Sequence, residues 1–151
     1  MRDITNKFND KQMKEINKGF EKGLTDEQIA IYAKPEFDYL QMSEIRDGLE
    51  EGLDVSIYAK PEFDWEQMEM ILIGLEDNVD VSIYAHPKFE WSQMEEIREG
   101  LVKDLNVSSY AKPEFNWMQM EMIREALLAL KNKSKEDIEM LLNIIYNTYI
   151  K

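Results

Sequence analysis

Cysteine is absent from the 151 residues, and histidine occurs once, at His86. The absence of cysteine excludes disulfides, thiolate nucleophiles and cysteine metal sites. A single histidine has no partner for acid–base work, and no phosphate-binding glycine loop or serine-nucleophile motif occurs. We interpret His86 as a loop surface residue, because lysine fills its place in the neighbouring repeats described below. We therefore expect a protein that is not an enzyme and that uses no cofactor and no metal.

Basic residues and long apolar runs are also scarce. Lys and Arg number 18 against 31 Asp and Glu, which gives a net charge of -13. Such a surface repels nucleic-acid phosphates and anionic lipids, so we expect no direct nucleic-acid binding and no membrane binding. No apolar run approaches the ~20 residues that cross a bilayer, and the first residues do not resemble a signal peptide. We expect a cytoplasmic protein whose partner is another protein with a basic surface.

An internal repeat dominates the sequence. A Gln-Met pair and a Tyr-Ala-x-Pro-x-Phe phrase recur 26 residues apart, with one first interval of 29 for Gln-Met. The phrase occurs four times, beginning at Tyr32, Tyr58, Tyr84 and Tyr110. We number five repeats, which begin at about Phe8, Phe37, Phe63, Phe89 and Phe115. Agreement this close at a fixed period is typical of helical-repeat proteins.

Repeat 2 illustrates the helix signals. Asp38 followed three residues later by Gln41 forms a capping-box pattern at a helix start. Met42, Ile45 and Leu49 then lie on one face of the helix. The pattern predicts a helix of about three turns in each repeat.

A second, shorter helix is expected next in repeat 2. Gly52 suits the left-handed end of the long helix, Asp54 is an N-cap, and Pro61 ends the short helix. Gly48 lies inside the long helix, where glycine costs about 1 kcal/mol relative to alanine. We expect close helix–helix approach to offset that cost, and we place Tyr58 in the core with its hydroxyl at the edge.

A repeat of this size cannot bury its own apolar face, but stacked copies can. We predict an all-α fold, a short α-solenoid of five 26–29-residue two-helix repeats with a C-terminal capping helix at 134–150. These repeats would form a single domain over residues 1–151, with about ten to twelve helices in all.

The repeat consensus YAxPxFxxxQMxxIRxGL is complete in residues 84–101. It resembles the short helical repeats of proteins from low-GC Gram-positive bacteria and their mobile elements, over roughly residues 8–131. The resemblance implies a helical-repeat fold and a genetic context in which counter-defence proteins, such as anti-CRISPR and antirestriction inhibitors, are common. It implies no catalytic residues.

Acidic residues are concentrated in the middle of the chain. The net charge is -5 over residues 37–62, -5 over residues 63–88 and -3 over residues 89–114. Together these three segments account for the entire net charge of the chain. Carboxylates recur at matching repeat positions, and the candidate binding residues among them are Asp64, Glu90, Glu69 and Glu95. They form either an ordinary solvated face or a surface that competes with nucleic acid for a basic groove on another protein.

An aromatic column lies at the first turn of the long helices, formed by Tyr39, Trp65, Trp91 and Trp117. Repeat 1 has Asp10 at this position, so the fold does not require an aromatic side chain there. The column either packs between neighbouring repeats or anchors a partner.

Repeat 3 departs from its neighbours at Met70, Leu72 and Ile73, where repeats 2 and 4 carry charged residues. These apolar side chains are either buried between repeats or form an exposed patch for a partner or a second copy.

The hypothesis that follows is a non-catalytic protein-binding protein. Its most concrete form is an acidic inhibitor of a nucleic-acid-binding defence enzyme, of the anti-CRISPR or antirestriction type, acting by charge mimicry. The first alternative is a housekeeping scaffold or adaptor that binds a helix or peptide through the aromatic column. The second is a hydrolase with a carboxylate pair. Self-association remains open.

Overall fold

The computed structural model describes residues 7–151, which contain seven α-helices and no strand. The helices are α1 (Asp10–Glu21), α2 (Asp26–Tyr32), α3 (Tyr39–Glu50), α4 (Trp65–Glu76), α5 (Trp91–Val102), α6 (Trp117–Ala129) and α7 (Lys135–Ile145). Three 3₁₀ turns cover Val55–Ile57, Val81–Ile83 and Val107–Ser109, and a π-helical turn covers Tyr146–Ile150. The predicted second helix is therefore a full helix in repeat 1 and a single 3₁₀ turn in repeats 2, 3 and 4.

The described part of the chain divides into two compact units, residues 7–76 and residues 77–151. In the first unit α1 packs against α3, and α3 packs against α4. In the second unit α5 packs against α6, and α6 packs against α7. Long helices of successive repeats thus pack side by side within each unit, which confirms the predicted all-α, solenoid-like fold. The prediction of one domain over the whole chain stays a prediction.

The helix ends follow the local sequence signals. Asp38 Oδ1 accepts a hydrogen bond from the Gln41 N–H at 2.8 Å, and Gln41 Oε1 accepts one from the Asp38 N–H at 2.9 Å. The same reciprocal capping box begins α1, α2 and α6. The residues that follow the long helices adopt positive φ, at Gly23, Gly52, Asn78 and Asp104. These predicted starts and ends are confirmed.

The capping glutamine also joins one repeat to the next. Gln41 Nε2 donates to the Phe63 carbonyl oxygen at 2.6 Å. The equivalent bonds run from Gln12 to Phe37 at 2.7 Å and from Gln93 to Phe115 at 2.6 Å. One side chain therefore fixes both the start of its own helix and the phenylalanine that opens the following repeat.

The repeated tyrosine explains the repeated glycine. Tyr58 is fully buried, and its hydroxyl donates to the Glu44 carbonyl oxygen of α3 at 2.8 Å. A Cβ atom built on Gly48 would lie 2.2 Å from that hydroxyl oxygen, so only glycine leaves room for the ring. The close approach that we expected is present, but the group that approaches is a tyrosine and not a second helix. The hydroxyl is also buried against α3, which corrects its predicted place at the edge of the core.

The C-terminal helix begins as predicted, because Ser134 Oγ accepts a hydrogen bond from the Asp137 N–H at 3.2 Å. α7 buries Ile145 and contacts α6, while Met140 and Ile144 on its other side remain exposed. Within residues 7–151, no helix has both the length and the apolar composition needed to cross a membrane.

Candidate functional site: an acidic groove

A buried ion pair links neighbouring repeats twice. In the first unit, Glu15 Oε2 of repeat 1 lies 3.1 Å from Arg46 Nε of repeat 2. In the second unit, Glu96 Oε2 of repeat 4 lies 2.8 Å from Arg124 Nε of repeat 5. All four residues are less than a tenth exposed. We call this contact, between the glutamate of one repeat and the arginine of the next, the inter-repeat ion pair.

The inter-repeat ion pair is missing between repeats 2 and 3. Glu44 occupies the glutamate position of repeat 2, but the arginine position of repeat 3 holds Leu72. Burial, with the nearby carboxylates of Glu69 and Asp47, raises the pKa of Glu44 from its ordinary 4.5 to about 7, and Arg46 offsets only part of this. Glu44 therefore lies in a place where the repeat pattern supplies no cation.

Glu44 belongs to a groove between α3 and α4 that we call the acidic groove. Its volume is about 290 Å³. Six carboxylate side chains and two apolar side chains line it: Glu44, Asp47, Glu50, Glu51, Glu69, Glu76, Leu72 and Ile73. Burial also raises the pKa of Asp47, more than Arg46 lowers it. The groove thus combines negative charge with an apolar side.

Arg46 is already paired with three carboxylates, and two of them, Asp47 and Glu50, line the groove itself. The Arg46 guanidinium bonds Glu15 at 3.1 Å, Asp47 at 3.0 Å and also Glu50. Its positive charge is therefore shared among three carboxylates, which leaves the groove with an excess of negative charge. Such a site is chemically suited to a guanidinium or ammonium group supplied from outside.

The predicted apolar patch of repeat 3 is not exposed. Met70 and Leu72 are only 8% and 6% exposed, which corrects their predicted alternative role as an exposed contact patch. Leu72 is buried because it packs against α3 beside Gly48. Its Cδ1 atom would lie 3.4 Å from a Cβ atom added to Gly48. Ile73 is half-buried and lines the acidic groove together with Glu69, another predicted residue.

The other predicted residues divide between the two units. Asp64 is exposed, and its Oδ1 accepts a hydrogen bond from the Gln67 N–H at 2.8 Å, so its carboxylate serves as a helix cap. Glu90 is exposed at the start of α5. Tyr39 and Trp65 are half-buried.

The second unit brings three predicted residues together. Trp91, Trp117 and Glu95 line a cleft of about 310 Å³ with Ser92 and Glu96, which we call the tryptophan cleft. The two indoles are 41% and 42% exposed.

The lone histidine matches its surface interpretation. His86 is exposed, and its ring centroid lies 6.5 Å from that of Phe89. In the part of the chain that the structure describes, no three His, Asp or Glu side chains are grouped so that they could hold a metal ion.

Sequence reasoning missed Glu44, Asp47 and Glu76 as members of one site. The sequence did contain a signal for this site. In each repeat, the residue at the position of Glu44 can be compared with the residue at the arginine position of the next repeat. That comparison singles out Glu44 and Leu72 as the pair in which a carboxylate meets a leucine.

Comparison with known proteins adds no further constraint. No protein-family model, no curated protein and no solved structure matches this chain.

The raised pKa of Glu44 predicts a pH dependence of stability. Between pH 4.5 and about 7 the native protein holds a proton that the unfolded chain has released. Stability contributed by this group is therefore present at low pH and is lost as pH rises through that window. We expect Glu44→Gln, which cannot ionise, to flatten this slope. Urea unfolding of both proteins from pH 4 to 8 measures it, and identical slopes would contradict the assignment.

Proposed function

We propose that the protein is a non-catalytic binding protein that engages the basic surface of another protein through the acidic groove. The observation that carries the proposal is that six carboxylates line a groove in which Leu72 replaces the inter-repeat arginine, and Arg46 pairs with only two of the six. A half-buried carboxylate such as Glu44, whose nearby negative charge Arg46 offsets only in part, is unfavourable, and an arginine or lysine from a partner would supply further positive charge. Complementary charges of this kind also speed association and select the partner.

The most concrete form of this proposal is an inhibitor of a nucleic-acid-binding defence enzyme. Enzymes of this class hold phosphates in grooves lined by lysine and arginine. Carboxylates grouped on packed helices can occupy such a groove in place of phosphates. Residues 37–114 carry the entire net charge of the chain, and their repeats resemble proteins from a genetic context of counter-defence. An anti-CRISPR or antirestriction role, in the cytoplasm where these enzymes act, is what we propose.

Competition with nucleic acid tests the proposal. The purified chain is titrated into an RNA-guided nuclease and into a restriction endonuclease, each with labelled target DNA, at stepped salt concentrations. We expect displacement of DNA and loss of cleavage in one of them, with affinity that falls steeply as salt rises. The variant Glu69→Gln with Glu76→Gln should weaken binding at least about tenfold, since a desolvated charge pair contributes more than 1.4 kcal/mol.

A matched control separates the groove from net charge. Glu36 and Glu62 are exposed loop carboxylates in the same unit, and neither lines the acidic groove. Glu36→Gln with Glu62→Gln changes the net charge by the same amount and should leave inhibition nearly unchanged. Equal losses in both double variants would assign the effect to overall charge and contradict a role for the groove.

A scaffold or adaptor is the second candidate function. The exposure of the Trp91 and Trp117 indoles favours it, since exposed aromatic side chains are common interface anchors. Binding of this kind would depend weakly on salt and would not compete with DNA. A partner that resists salt and tolerates the Glu69 and Glu76 changes would support this alternative.

A further inference from the structure

The tryptophan cleft has a composition that suits a cation. Trp91 and Ser92 begin α5, Trp117 begins α6, and Glu95 lies one turn along α5. The faces of indole rings attract cations more strongly than other aromatic side chains do, and a nearby carboxylate adds a counter-charge. Glu96, the remaining lining residue, is already bonded to Arg124 at 2.8 Å. Glu95 is therefore the carboxylate in the cleft that can meet a new partner.

The first unit places a cation on the equivalent aromatic side chain, although Asp10 and Lys14 stand there in place of Trp91 and Glu95. Lys11 Nζ lies 4.7 Å from the centre of the Tyr39 ring. Lys11 and Ser92 occupy the same position in repeats 1 and 4, and Tyr39 and Trp117 occupy the same position in repeats 2 and 5. The chain itself thus places a lysine on the aromatic column between two neighbouring repeats. Where repeat 4 meets repeat 5, Ser92 is too short to do this, and the equivalent space is the open tryptophan cleft.

We propose that the tryptophan cleft binds a lysine or arginine side chain of a partner protein. The cation would lie against the indoles of Trp91 and Trp117, as Lys11 lies against Tyr39, with Glu95 as its counter-charge. The alkyl part of either side chain would cover indole surface that is now exposed. The cleft belongs to the second unit and shares no residue with the acidic groove, so this site does not depend on the groove.

Titration of the full chain with small peptides tests this site. The protein is labelled with ¹⁵N, and the indole N–H signals of its three tryptophans are followed by NMR. A blocked Gly-Arg-Gly tripeptide should shift the signals of Trp91 and Trp117 in a saturable way, with millimolar affinity. Trp65, in the other unit, is an internal reference that should not respond. The neutral Gly-Gln-Gly tripeptide should cause no saturable shift.

Two substitutions at one position sharpen the test. Ser92→Lys gives repeat 4 the residue of repeat 1, so its own ammonium should fill the cleft and weaken tripeptide binding at least about tenfold. Ser92→Ala keeps the cleft open and should bind as the wild type does. Circular dichroism melts of both variants establish that they fold. Because Ser92 is only half-buried and Lys11 is accommodated at the matching place, both variants should be stable.

Several outcomes would overturn the inference. One is unchanged binding by Ser92→Lys, and another is an equal response to the glutamine tripeptide. A third is free arginine binding more tightly than the blocked tripeptide, which would point to a small-molecule ligand. The variant Glu69→Gln with Glu76→Gln should leave these NMR shifts unchanged, so failure of the acidic groove and failure of the cleft are distinguished.

Discussion

Replacing Gly48 by alanine is expected to lower the free energy of unfolding by about 3 kcal/mol, although alanine is the better helix former. The new methyl group would lie 2.2 Å from the Tyr58 hydroxyl oxygen and 2.7 Å from Val55 Cγ1. Overpacking a core costs about 1–3 kcal/mol, and displacing a buried hydroxyl from its acceptor costs about 1–3 kcal/mol more. The higher helix propensity of alanine offsets only about 1 kcal/mol of this loss in unfolding free energy.

The chain offers a control for this prediction at Ala126. This residue occupies the glycine position of repeat 5, the repeat in which no Tyr-Ala-x-Pro phrase follows the long helix. Ala126→Gly should therefore cost only about 1 kcal/mol, from helix propensity alone. The double variant Gly48→Ala with Tyr58→Phe should recover part of the loss, because the clashing hydroxyl is gone. Urea unfolding followed by circular dichroism measures all three, and equal losses for Gly48→Ala and Ala126→Gly would refute the tyrosine contact.

Local chemistry made much of the fold predictable. The capping box of Asp38 and Gln41 and the left-handed end at Gly52 each depend on a few consecutive residues. These signals recur at a fixed period, so one correct interpretation of repeat 2 carries over to the others. The solenoid-like packing then follows, because one repeat alone cannot cover its apolar face.

Contacts between neighbouring elements were harder to predict. Nothing in the sequence around Gln41 shows that its amide also donates to Phe63, one repeat away. The complete burial of the Tyr58 side chain likewise depends on how the 3₁₀ turn at Val55–Ile57 packs back on α3. The second helix is shorter than expected because repeats 2, 3 and 4 lack the three extra residues that let repeat 1 form α2. Within the 26-residue repeats, the chain from Asp54 to Pro61 accommodates only a 3₁₀ turn.

The candidate site was only partly predictable for a similar reason. Composition alone indicates an acidic binding surface, and Glu69 was recognised through its repeat position. Glu44 becomes distinctive only when Leu72 is placed beside it in the packed structure. The sequence around Met70 and Leu72 allows two interpretations. A helix with apolar residues on several faces is either buried between neighbouring repeats or carries an exposed contact patch.

Replacing Leu72 by arginine is expected to abolish the acidic groove as a binding site without unfolding the protein. Arg46 and Arg124 occupy the equivalent positions at 7% and 8% exposure, so the fold accepts a buried arginine there when a glutamate faces it. The new guanidinium should pair with Glu44 and complete the inter-repeat ion pair. A partner that supplies its own cation to the groove should then bind about ten- to a hundredfold more weakly. Leu72→Met, which conserves volume and charge, should bind as the wild type does.

The same substitution makes a second prediction that needs no partner. Pairing with arginine favours the ionised form of Glu44, so its pKa should fall from about 7 toward the range of a paired carboxyl. NMR titration of the Glu44 carboxyl carbon measures this directly. The loss of stability with rising pH that Glu44 causes in the wild type should disappear as well, because the native and unfolded states would then release the proton at similar pH. A folded Leu72→Arg protein with an unchanged Glu44 pKa would show that the arginine does not reach the carboxylate. An unfolded variant would show that the first unit depends on an apolar residue at this position. Either result would contradict the expectation that an arginine at position 72 completes the inter-repeat ion pair.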